Sequence, residues 1–198
     1  MDTTAQIREE LDTAIRLRQA ALADEALLRR IEALAQTMTQ TLKRGGKVIF
    51  AGNGGSFADA QHLVAEFVGR FMKERGPLAG LCLGTNSSSV SAIGNDYRFE
   101  DIFVRELRAM GRSGDLLVAI STSGNSKNLI EALAAARDMG LTTFSLLGKG
   151  GGRMASLAPC IVVPSDHTAR IQEMHITIGH IVCGLVDALM ESPAPATS

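Results

Sequence analysis

Five short apolar runs constrain this chain more than any other feature: each is closed by Gly, Ser, Asn or Pro, and each is followed by a longer segment or turn. The runs cover residues 47–51, 78–83, 116–120, 142–147 and 160–163. Too short for helices and rich in Val, Ile, Leu and Phe, they read as strands buried on both faces. The segments between them predict helices over 56–71, 87–93, 99–110 and 126–139, with a short turn over 152–157. Strands that alternate with helices require crossover connections, hence a parallel sheet covered on both sides. The expected fold class is α/β, a doubly wound five-stranded parallel sheet in flavodoxin-like order.

Helices flank this pattern. Ile7, Leu11 and Ile15, then Leu27, Leu28, Ile31, Leu34, Met38 and Leu42, recur at helical spacing. They predict two N-terminal helices, separated near Ala23 and Asp24 and stopped by Gly45 and Gly46. The last helix, expected over 168–190, is apolar on nearly every side. Such a helix is either core or subunit interface, and an interface is expected here because an edge helix in a five-stranded domain has few neighbours. One domain spans 1–192, with the N-terminal helices in 1–44 and the α/β core and C-terminal helix in 47–190; residues 193–198 are expected to be a disordered tail.

Charge narrows the function classes. Lys and Arg number 20 against 21 Asp and Glu, which leaves no overall pull toward nucleic acid or an anionic membrane. Apolar stretches are broken by polar residues before the roughly 20 residues of a membrane span accumulate. The polar, acidic start MDTTAQIREELD resembles neither a signal nor a transit peptide, so a cytoplasmic protein is expected. Cys82, Cys160 and Cys183 form no Cys-x-x-Cys pair and read as buried reduced thiols.

Ligands of doubly wound sheets sit at the carboxyl ends of the strands, and two of these ends are unusual. The first is Gly52, Asn53, Gly54, Gly55 and Ser56, where glycines permit a tight turn and close backbone approach. The second is Ser121, Thr122, Ser123, Gly124, Asn125 and Ser126, four hydroxyls that lead into a helix. Hydroxyls and free backbone N–H groups at a helix N-terminus make a phosphate cradle. The dinucleotide fingerprint fails because Phe57 stands where a third glycine belongs, and no triphosphate loop occurs, since 148–153 lacks the spacing.

Beyond the first loop, His62 and Glu66 share one helix face, with Asp59 a turn earlier. Such a pair can chelate a divalent ion or act as acid and base. On the last helix Gln172, His175 and His180 interrupt an apolar surface. Gln172 and His180 lie roughly 12 Å apart along the axis, so a shared site needs leaning side chains or a neighbouring subunit. His175 and His167 read as structural, and Asn95 with Asp96 reads as a turn.

Together, these motifs resemble the phosphoheptose isomerases of the sugar isomerase domain superfamily. The resemblance runs through 52–56, Asp59, His62, Glu66, 92–96, 121–126, 169–173 and His180, nearly the whole chain. It implies isomerisation of sedoheptulose 7-phosphate to D-glycero-D-manno-heptose 7-phosphate, which feeds ADP-heptose for the lipopolysaccharide core. It also implies that Ser121, Thr122, Ser123 and Ser126 hold the phosphate, with Asn53, Gly54, Gly55, Ser56, Glu66, Asn95, Asp96 and Gln172 around the sugar. Glu66 matches the family's base and His180 its acid. His62, Glu66, Gln172 and His180 match its zinc ligands, one Zn2+ per subunit, in homotetramers with sites at subunit interfaces. One relative in the superfamily is instead a non-catalytic tetramer that binds the bacterial replication initiator; it lacks the residues that match Glu66 and His180. An isomerase of another sugar phosphate is the further alternative. No DNA-binding domain is expected ahead of the sheet, which disfavours a sugar-responsive regulator.

Overall fold

In a computed structural model that describes residues 2–191, two helices, α1 (Thr3–Ala23) and α2 (Glu25–Lys43), lead into an alternating α/β unit. The expected tail at 193–198 lies outside the described residues. Asp24 makes the break between the helices: its carboxylate accepts from Ala26 and Leu27 N–H groups and so opens α2, while its own N–H closes α1 on the Ala21 carbonyl. Then follow β1 (Val48–Gly52), α3 (Gly55–Val68), β2 (Gly80–Cys82), α4 (Ser87–Asp96), α5 (Ile102–Met110), β3 (Leu116–Ser121), α6 (Lys127–Asp138), β4 (Thr142–Leu147), β5 (Cys160–Val162) and α7 (Thr168–Glu191). Short 3-10 segments occupy Phe99–Asp101 and Lys149–Ser156.

All strand pairs are parallel, in the order β2-β1-β3-β4-β5, which is the flavodoxin-like order. Period-two alternation splits the strand side chains between two cores. Phe50, Val118, Ile120, Phe144 and Leu146 face α2, α3 and α7 through Leu34, Met38, Leu63, Phe67, Ile171 and Val182. Ile49, Ala51, Leu117, Ala119 and Leu147 face the other way, onto Phe103, Leu107, Leu129, Leu133 and Ala136 of α5 and α6.

The position of α7 corrects one expectation. It is not an edge helix; it lies over the sheet against α2 and α3, and Ile171, Met174, Ile178, Val182, Cys183 and Val186 are core. Core packing therefore accounts for most of its apolar character, and Ile181 and Leu185, 46% and 37% exposed, are what remains for a partner. Among the described residues α7 alone is long and apolar enough by composition to cross a membrane, with its inner face buried inside the fold. A helix that must bury one face on a sheet and another on flanking helices passes the same hydropathy test.

Candidate active site

β1 and β3 are neighbours that cross to opposite sides of the sheet order, and Gly52 pairs with Ile120, so their carboxyl ends open onto one crevice. Both chemically unusual loops start there. After Gly52, Gly54 adopts a φ of 56°, which glycine tolerates without strain, and the chain enters α3 at Gly55. A side chain at Gly55 would run into the carboxamide of Gln172 on α7. Ser56 is buried, whereas Gly54 and Gly55 are exposed. A cavity of about 170 Å3 lies here, lined by Asn53, Gly54, Phe57, Gly84, Phe99 and Phe103 among others.

The second loop is internally braced. Ser121 Oγ lies 3.1 Å from Ser126 Oγ and accepts the Gly124 N–H at 3.1 Å. Ser123 Oγ accepts the Asn125 N–H at 3.2 Å. Ser126 precedes α6 without capping it, so its hydroxyl is committed to Ser121 and not to the helix N–H groups. Those groups face the loop with the positive end of the helix behind them. Thr122, Ser123 and Ser126 are half-buried and Ser121 is buried.

Two contributors escaped the sequence reading. Asn128, buried on α6, exchanges two amide hydrogen bonds with Asn53, at 3.0 and 2.9 Å, and so ties the first loop to the second. The glycine-rich stretch at 148–153 braces the cradle from outside: Met154 N–H donates to the Gly124 carbonyl at 2.9 Å and Arg153 N–H to Asn125 Oδ1 at 3.1 Å. The available signal for Asn128 was a polar residue in phase with Ala132 and Ala136 on a buried helix face.

Farther along α3, His62, Glu66 and His180 converge. His62 Nε2 lies 2.8 Å from His180 Nε2 and 3.3 Å from Glu66 Oε1. Candidate ligand atoms of all three lie within 4.8 Å of one another. Phe71 stacks on the His180 ring with centroids 5.5 Å apart. Two imidazoles and a carboxylate this close together form a donor set that could hold a divalent ion. The residues present fit such an ion. Asp59, between this cluster and Gly55, has a buried Oδ2 without a hydrogen-bond partner among the described residues; burial raises its carboxyl above the ordinary value, against the charge of His62.

Other predicted residues fall elsewhere within the single chain. Gln172 packs at Gly55, on the turn of α3 that opens toward the first loop, and His62, Glu66 and His180 meet farther along the helix. Asn95 and Asp96 are exposed at the end of α4 and bonded to each other at 2.7 Å. Asp96 lines a different cavity of about 680 Å3 with Asn86, Tyr97 and Arg105. His175 is buried and shares a 3.0 Å hydrogen bond with the Leu147 carbonyl, the structural role expected of it.

A family model of the SIS domain matches residues 11–148. The phosphoheptose isomerase of Rhodospirillum rubrum is 56% identical over 154 residues, 77% of this chain and 82% of that one. That of Aneurinibacillus thermoaerophilus is 49% identical over 182 residues, 91% of this chain and 92% of its own. The solved phosphoheptose isomerase of Neisseria gonorrhoeae superposes with a TM-score of 0.88 at 40% identity, and the match covers 94% of this chain and 99% of that structure. Sequence and overall fold agree, and the chain belongs to the SIS domain family and, within it, to the phosphoheptose isomerases.

Proposed function

We propose that the chain moves the carbonyl of D-sedoheptulose 7-phosphate from C2 to C1, giving D-glycero-D-manno-heptose 7-phosphate, the first step toward ADP-heptose for the lipopolysaccharide core. The observation that carries the reading is the convergence of Glu66 with His62 and His180 on helices that also line the β1–β3 crevice. Ser121, Thr122, Ser123 and Ser126 hold the phosphate through hydroxyls and the N-terminus of α6. Asn53, Gly54, Gly55 and Ser56 line the sugar, together with Asn95, Asp96 and Gln172.

Glu66 takes the proton from C1, the carbon beside the ketose carbonyl, and returns it to C2. His180 exchanges protons with the oxygens of C1 and C2 as the carbonyl changes place. The negative charge of the enediolate between these steps has to be stabilised by groups already in place. His62, Glu66, Gln172 and His180 would hold one Zn2+ per subunit, which would supply Lewis-acid polarisation of those oxygens.

The reading includes a homotetramer with sites at subunit interfaces, in which Gln172 reaches the ion either by leaning toward His180 within one chain or from an adjacent copy. The reading places the enzyme in the cytoplasm. A proton NMR time course with sedoheptulose 7-phosphate, run with zinc and with a chelator, tests it. A growing heptose anomeric signal is expected with zinc, and its loss with chelator makes the metal catalytic. No turnover in either tube from folded protein overturns the reading.

A further inference from the structure

The loop from α3 to β2 folds back onto the helix that carries His62 and Glu66. Arg75, its side chain 13% exposed, donates from Nη2 to the Glu66 carbonyl at 2.8 Å and from Nη1 to the Phe67 carbonyl at 3.0 Å. Its Nε donates at 2.6 Å to Oδ1 of Asp187, which is 2% exposed on α7. The other Asp187 oxygen accepts the Met72 N–H at 3.4 Å. Asp187 stands two helical turns beyond His180 on the same helix.

Glu66 and Phe67 belong to the last turn of α3, where carbonyls lack intrahelical partners and a cation is favoured. An exposed lysine would meet that need. A buried guanidinium beside a buried carboxylate is a poor way to gain stability, because desolvation offsets most of the attraction. What the fork supplies is direction. It grips Glu66 at its own carbonyl and, through Asp187, fixes that residue relative to the helix of His180. The same loop contributes Phe71, whose ring stacks on His180 at an interplanar angle of 16°.

We propose that Arg75 and Asp187 form a positioning pair that sets the Glu66 carboxylate against His62 and His180. Neither residue is among those assigned to the sugar phosphate. Its effect on turnover rests on the reading of Glu66 as the base.

The test is Arg75→Lys, which keeps the charge and loses the planar fork. In the folded variant kcat falls by about 100-fold, the scale of a misplacement of about 1 Å. KM stays within about threefold, because the phosphate cradle at 121–126 is untouched. In 15N-edited spectra of the metal-free protein the imidazole resonances of His62 and His180 shift, and those of His175 do not. Lys73→Ala, which removes the neighbouring ion pair with Glu191, moves neither readout. Should Arg75→Lys fail to fold, Arg75→Met combined with Asp187→Leu exchanges the buried pair for apolar contact and takes its place. Unchanged kcat with unshifted His62 and His180 resonances in a folded variant overturns the proposal. A wild-type protein without turnover would overturn the isomerase reading instead, and the imidazole resonances would still decide the positioning.

Discussion

His62 Nε2 and His180 Nε2 stand 2.8 Å apart although 118 positions separate them in the chain, because α3 and α7 lie side by side over the sheet. Two imidazole nitrogens this close share a proton or a cation, since two bare lone pairs would repel. With Glu66 Oε1 at 3.3 Å from His62, a divalent ion satisfies all three groups at once. Zinc titrated into metal-free protein is therefore expected to bind, and His180→Ala to weaken that binding by more than the roughly 10- to 100-fold that losing a supporting group costs at such sites. Calorimetry on both proteins checks this; equal affinities would remove His180 from the centre.

The Asn53–Asn128 pair joins the two ligand loops through two hydrogen bonds, and Asn128 is buried. Asn128→Ala strips both from Asn53 and frees the loop after β1. The expected cost is about 1–3 kcal/mol of stability, with a rise in KM for the phosphosugar. Thermal unfolding and steady-state kinetics on the same preparation measure both. A variant with normal KM would reduce Asn128 to a packing residue.

Glu66→Gln keeps the size of the side chain and the helix, and removes the base. Turnover is expected to fall by about 100- to 10,000-fold, the range that a positioned base contributes, with circular dichroism unchanged. Near-normal activity would assign proton abstraction to another group.

The sheet, its strand order and both loops were legible because they rest on local signals: apolar runs of strand length, glycine where the chain must turn, hydroxyls ahead of a helix. Asp24 between α1 and α2 was legible for the same reason. Asn128, Arg75 and the glycine-rich brace at 148–153 were not, because their roles come from contacts across the fold. A buried Asn in helix phase looks like any polar residue on α6 until its partner is known. The placement of α7 was misjudged for a related reason: uniform apolarity does not say whether sheet, helices or a second chain covers each face.

Cys82 and Cys183 are buried, and burial pushes both thiols up to about 12, with the charge of Glu106 adding to the effect at Cys82 and those of Glu66 and Asp187 at Cys183. Thiolate is the reactive form, so both should resist alkylation at neutral pH. Iodoacetamide with mass spectrometry should label Cys160 first in native protein, and all three cysteines only after denaturation. Rapid native labelling of Cys183 would mean that α7 opens.

His175 gives the fold an acid limit of its own. It is 1% exposed, with one nitrogen on the Leu147 carbonyl and Nδ1 without a partner among the described residues. Burial lowers its pKa from 6.5 to about 4, opposed by the Leu147 hydrogen bond. Since the unfolded chain takes up the proton near 6.5 and the folded chain resists it until about 4, this residue costs nothing above pH 6.5 and removes stability progressively as pH falls to 4. The full loss is about 3 kcal/mol. His175→Gln, which cannot titrate, should unfold at nearly the same temperature at pH 7 and at pH 5 relative to its own maximum, while the unmodified chain loses several degrees more over that interval. Parallel pH dependences for the two proteins would show that His175 is protonated in the folded state or reached by water.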